Sequence, residues 1–148
     1  MSRLVFLNLP VADVKASKAF FSKLGFSFNE KFEDDTTTCM VINEGASYAM
    51  LMEHEKFASF AVKPFADPQT TTQSLISVSA EDRAGVDSFA DAALAAGGRE
   101  AKPAQDYGFM YGRSFFDLDG HHWEVMWMDQ AAVEAGPAEY AGQGSEQG

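Results

Sequence analysis

The sequence is short of several things, and each shortage removes a class of function. Cys39 is its one cysteine in 148 residues, which excludes an intramolecular disulfide and any CxxC zinc site. There are three histidines, so a three-histidine metal centre would need all of them to converge. Basic residues number 11 against 22 acidic, a formal net charge of −11. Such a surface repels phosphate backbones and argues against a nucleic-acid partner. No apolar run approaches the ~20 residues that span a bilayer. The opening Met1-Ser2-Arg3-Leu4-Val5-Phe6-Leu7 meets Asn8 and Pro10 without a cleavable apolar segment, so a mature, cytoplasmic protein with no membrane partner is expected. The sequence also has no serine in a G-x-S-x-G turn and no glycine-rich phosphate loop with a lysine.

What is present suits a folded domain: the chain is 46% hydrophobic and 13% aromatic, beyond the range of a fully disordered protein. Residues 3–11 read as a strand. Asp13 stands where a helix N-cap would, and Val14, Ala16, Phe20, Phe21 and Leu24 form an apolar stripe ended by Gly25, so 13–24 reads as a helix. Strand-like stretches follow near 26–32, 38–43 and 47–53, separated by Asp34-Asp35 and Asn43-Glu44-Gly45. Residues 54–72 carry Pro64 and Pro68 and read as a connector, with room for a short helix around 55–60. The pattern then restarts. Gln73–Val78 reads as a strand, and Val86, Phe89, Ala90, Ala93, Leu94 and Gly97 repeat at helical spacing. Further strands are expected near 99–104, 109–116 and 122–128, the last two joined by the tight turn Asp117-Leu118-Asp119-Gly120. From Gln130 the composition turns to Ala, Gly and Gln with no basic residue, which reads as a flexible tail.

The division expected is therefore a first βαβββ module over 1–53, a connector over 54–72, a second module over 73–129 and a tail over 130–148. The fold class is α+β: two βαβββ modules forming a cupped mixed sheet with the helices outside. One sheet and one helix bury a single sheet face, and pairing two modules leaves a curved interior for a ligand.

Two stretches carry the chemistry. In Gln105–Arg113 aromatics and glycines interleave, and Tyr107, Tyr111 and Arg113 would suit a planar or anionic small molecule. The bland alternative is a core strand with Arg113 in a structural ion pair. In the last strand, alternation places His122, Glu124, Met126 and Met128 on one face and Trp123, Val125 and Trp127 on the other. The tryptophan face suits a helix, which turns Glu124 towards the interior. A carboxylate there is paired, protonated or bound to a metal. Its structural partner would be a cation such as Arg113. Met50 and Met52 likewise share a face, as core or as an adaptable wall. Cys39, in an apolar strand with no basic neighbour, reads as an inert small hydrophobe.

Three local signals, spread over residues 3–128, resemble the vicinal-oxygen-chelate superfamily, the group of glyoxalase I, extradiol dioxygenases, and fosfomycin- and bleomycin-resistance proteins. They are Leu9-Pro10-Val11-Ala12-Asp13 followed by Ala19–Phe26, Ala95-Ala96-Gly97-Gly98 after the second helix, and Asp117-Leu118-Asp119-Gly120 with Glu124 four residues beyond the glycine. The chain as a whole resembles bacterial predicted lactoylglutathione lyases. The resemblance implies a homodimer. For metal-using members it also implies ligands on the first and last strand of each module. The final ligand matches Glu124, although Leu118 replaces the usual proline. The first-strand position falls on Phe6, which binds no metal. Its counterpart in the second module falls on Gln73, or on Ser74 one residue later, and the remaining position falls in Met50–Met52, with Glu53 nearest. The usual metal site is thus not expected, and no cofactor is implied; a relocated divalent site using Glu53, His122 and Glu124 is the alternative.

Two functions follow. One is a metal-free module that binds a small aromatic or anionic molecule between its sheets, with Asn8, Tyr107, Tyr111 and Arg113 as polar contacts. The other is a metal-dependent lyase or isomerase resembling glyoxalase I, in which Glu124 is a catalytic metal ligand or general base.

Overall fold

A computed structural model describes residues 2–136. It divides into two compact units, one ending at Thr71 and the other beginning at Thr72. Both repeat the order strand, helix, strands, with the first and last strands adjacent and parallel.

In the N-terminal unit, β1 (Val5–Val11) leads into α1 (Val14–Lys23), followed by β2 (Ser27–Phe28), β3 (Thr37–Asn43), β4 (Ser47–Glu53) and α2 (His54–Phe60). The sheet order is β1-β4-β3-β2, with β1 parallel to β4 and the other pairs antiparallel. Asp13 caps α1 as its sequence position suggests, its carboxylate accepting from the backbone N–H groups of Lys15 (3.0 Å) and Ala16 (3.2 Å). That satisfies donors the helix itself cannot. The stripe that α1 buries is Val14, Ser17, Phe20 and Phe21. Phe20 and Phe21 meet edge to face at 4.9 Å, above a sheet face carrying the buried Leu9, Val11, Met40, Ala49 and Leu51.

The C-terminal unit holds β5 (Leu75–Ser79), α3 (Arg83–Ala95), β6 (Arg99–Glu100), β7 (Gln105–Asp106), β8 (Met110–Phe116), β9 (His122–Met128) and α4 (Gln130–Ala135). The order is β5-β9-β8-β6, with β7 also pairing β8. Val86 and Ala90 of α3 pack with Val125, and Val78, Phe89, Tyr111 and Trp127 close around them. Gly98 lets the end of α3 reach this sheet: a Cβ there would stand 2.9 Å from the carbonyl oxygens of Ala93 and Phe116.

The observed elements differ from the expected ones in three places. The strand expected over 26–32 pairs only at Ser27 and Phe28, because the Asn29 side chain accepts from the Lys31 N–H at 3.1 Å and turns 30–32 into a single 3-10 turn. The strand expected over 99–104 breaks after Glu100 and resumes at Gln105, since Pro103 has no N–H for the ladder. The tail expected from Gln130 begins instead as α4, where Asp129 accepts from the Ala131 N–H at 2.8 Å and Ala132 is buried. Residues 137–148 of that expected tail lie outside the described residues. No described helix is long and apolar enough to cross a membrane.

Candidate functional site

Register decides which side chains each sheet presents together. In the C-terminal unit Arg113 pairs with Val125 and Ser114 with Glu124, so Arg113 and Glu124 lie on opposite faces and do not meet. On the α3 face, the Arg113 guanidinium contacts Asp91 (2.8 Å) and Asp87 (3.1 Å). The Tyr111 hydroxyl donates to Asp87 at 2.6 Å. That hydrogen bond is the main reason the Asp87 carboxyl lies below its ordinary range and the Tyr111 phenol above its own. Tyr107 stands in the loop before β8, its ring stacked 6.4 Å from Phe109. Arg83 fixes this loop by a bidentate pair with Asp106 (2.7 and 2.8 Å). Its guanidinium also lies between Tyr111 and Trp127, 5.1 and 5.2 Å from the ring centres.

The other face of this sheet holds Ser114, His122, Glu124 and Met126. The turn before β9 aims them: buried Asp117 accepts from the N–H groups of Asp119 and His121 (both 3.0 Å) and from Trp123 Nε1 (2.9 Å). Burial pushes the Asp117 carboxyl up, against the pull of His121 and these hydrogen bonds. Glu124 has Lys102 Nζ at 3.6 Å and His122 Nε2 at 3.4 Å. The buried His122 Nε2 and Ser114 Oγ make no hydrogen bond. The cavity beside Ser114 and Glu124 measures about 20 Å³, room for one water molecule and not for a substrate.

Larger cavities lie in the N-terminal unit. On the face opposite α1, β1 presents Phe6 and Asn8, β4 presents Tyr48, Met50 and Met52, and β3 presents Thr37 and Cys39. Two cavities open there, of about 530 and 450 Å³, within the ~300–1,000 Å³ typical of small-molecule sites. They share Asn8 and Met50 as walls. The smaller is apolar, walled by Leu4, Phe6, Phe32 and Tyr48. Phe6 and Tyr48 stack at 5.1 Å and 14° into a flat surface, and the Tyr48 hydroxyl is held by the Gly45 N–H at 2.8 Å. The larger carries Asp34, Thr37 and Lys56 beside Met52, Phe57 and Phe60. Thr37 is 6% exposed, and its hydroxyl has no hydrogen-bond partner. Lys56 rests 5.7 Å from the Phe60 ring centre. Cys39 lines the apolar cavity, where burial pushes its thiol up, in keeping with an unreactive side chain.

Comparison with known proteins agrees with this architecture. Residues 3–43 match the family described as bleomycin resistance protein-like N-terminal. A hypothetical protein from S. aureus superposes with a TM-score of 0.71 at 25% identity, over 86% of this chain and 94% of its own. A glyoxalase/bleomycin resistance protein/dioxygenase family enzyme from Burkholderia phytofirmans PsJN gives 0.70 at 19% identity, over 86% and 99%. The chain has the glyoxalase/bleomycin-resistance/dioxygenase fold. A fosfomycin resistance protein from Listeria monocytogenes shares that fold with a TM-score of 0.62 at 17% identity, over 88% and 97%. No curated protein matches the sequence.

His122 and Glu124 are a pair, and no group of three or more His, Cys, Asp or Glu stands ready for a metal among the described residues. Phe6, Met50 and Met52 line the N-terminal cavities as hydrophobes, while Leu51 is buried under α1. Glu53 accepts from the Val14 N–H at 3.0 Å, on the α1 side of its sheet. Beside Glu124 in β5 stands Ser77; Gln73 and Ser74 precede that strand.

Of the expected polar contacts, Asn8 lines both N-terminal cavities. Tyr111 and Arg113 are engaged with α3, and Tyr107 with its own loop. Thr37, Asp34, Lys56 and Phe57 are cavity residues that sequence reasoning missed. Strand alternation would have placed Thr37 with Cys39. Lys56 and Phe57 lay inside a segment read as a connector.

Proposed function

We propose that this protein is a metal-independent binding protein that takes up a small aromatic molecule on the N-terminal sheet face opposite α1. The pair of cavities sharing Asn8 and Met50 carries this reading. Their aromatic and thioether walls bury a planar ligand, and the methionines adapt to its outline. The polar end, with Asp34 and Lys56, orients it. Sequestration needs no reaction step. The homodimer implied by the resemblance belongs to the same reading, as does a cytoplasmic location.

A thermal-shift screen of small aromatics tests it. Binders are expected to raise the melting temperature with ligand concentration. Phe6→Ala, at an exposed position, should abolish the shift without unfolding the protein. Binders that act equally on Phe6→Ala would remove the site from this face.

A second reading, a metal-dependent lyase resembling glyoxalase I, is favoured by one observation: the buried His122 Nε2 faces Glu124 without a hydrogen bond. Such an orphaned nitrogen next to a carboxylate is an incipient two-ligand site.

A further inference from the structure

We infer that the ligand of the N-terminal cavities is an aromatic zwitterion, a free aromatic amino acid or a close derivative that keeps its ammonium and carboxylate groups. The inference rests on the binding reading above and names its ligand class.

The two cavities differ in chemistry. The flat wall of Phe6 and Tyr48, with Leu4, Phe32 and Met50, suits a phenyl or indole ring. The adjoining cavity carries one charge of each sign. Lys56 and Asp34 both line it, and they form no ion pair within 4 Å of each other. The Asp34 carboxyl lies below the ordinary range, chiefly through the Thr36 backbone N–H at 2.9 Å, with the Thr36 hydroxyl and the nearby Lys56 charge adding to the effect. Thr37 lines the same cavity, but its hydroxyl is buried away from the open space.

Charge balance selects among ligands. A simple anion would gain Lys56 but meet Asp34 and a chain of net charge −11. A simple cation would gain Asp34 but meet Lys56. A ligand with both charges next to its ring pairs with each. The two cavities adjoin at Asn8 and Met50, so the aromatic wall and the charged walls border neighbouring space.

The test is calorimetric titration of the full chain with tryptophan, phenylalanine, 3-phenylpropionate, phenethylamine and benzyl alcohol. The amino acids are expected to bind about tenfold or more tightly than either singly charged analogue, as charge-assisted hydrogen bonds allow. Lys56→Met should lower amino-acid affinity to that of phenethylamine, and Asp34→Asn to that of 3-phenylpropionate. Neither should change benzyl alcohol binding. Analogues binding as well as the amino acids, or affinity unchanged in both variants, would overturn the zwitterion. The binding function would still stand if Phe6→Ala weakened every probe. If no probe bound, benzyl alcohol included, the zwitterion and the binding reading would both fall.

Discussion

Arg113 sits directly across the ladder from Val125, and that one register places its guanidinium under α3, against Asp87 and Asp91. The contact ties the helix to the sheet. Arg113→Met is expected to lower stability by about 1–2 kcal/mol, because the guanidinium is 16% exposed while its partners are 49% and 68% exposed and solvent-screened. Aromatic-ligand affinity should not change. Binding lost at an unchanged melting temperature would return Arg113 to the ligand site.

Asp117 organises the turn that aims β9. Asp117→Ala removes acceptors for two backbone N–H groups and leaves the indole N–H of fully buried Trp123 without its partner. A loss of about 2–4 kcal/mol is expected in chemical denaturation. Asp117→Asn, which keeps an acceptor oxygen, should lose less. Equal losses would mean that the charge matters more than the hydrogen bonds.

The Arg83–Asp106 pair gives a pH signature. The Arg83 hydrogen bond, aided by the Gly108 N–H, pulls the Asp106 carboxyl from the ordinary 3.8 to about 2. A carboxyl depressed in the folded state adds stability that is present above its unfolded value and is lost as pH falls through the folded one. The stability difference between the native protein and Asp106→Asn should therefore hold down to about pH 4 and shrink towards about pH 2. A difference independent of pH would show that the pair does not form in solution.

Metal binding separates the two functional readings. Titration of chelator-treated, tag-free protein with Zn²⁺, Ni²⁺, Co²⁺, Mn²⁺ and Fe²⁺ is expected to show no site tighter than about micromolar, since His122 and Glu124 are two donors where a catalytic centre uses three. A tighter site that disappears in Glu124→Gln would favour the lyase.

Most of the fold was legible because its signals are local. Asp13 before an apolar stripe, the Asp117–Gly120 turn and the alternation around Trp123 each reveal an element within a few residues. Alternation also put Glu124 on the face opposite the tryptophans, as the register shows. The strand ends were harder. Asn29 and Pro103 act through single hydrogen bonds made or missed, and an apolar pattern does not register them. Of the residues lining the N-terminal cavities, Asn8 was a sequence candidate and Thr37 and Lys56 were not, because a threonine in a strand and a lysine in a connector look like ordinary surface.

The sequence by itself determined the α+β class, the repeated module and the faces of its strands, since periodicity and capping are properties of neighbouring residues. Only the tertiary structure decided where the N-terminal cavities lie and which charges border them. Asp34, Thr37 and Lys56 come from a turn, a strand and a helix, and the packing of α2 against β1 and β4 brings them to one cavity. It likewise decided that Tyr111 and Arg113 serve α3, because a strand's parity says which residues share a face but not what that face is packed against.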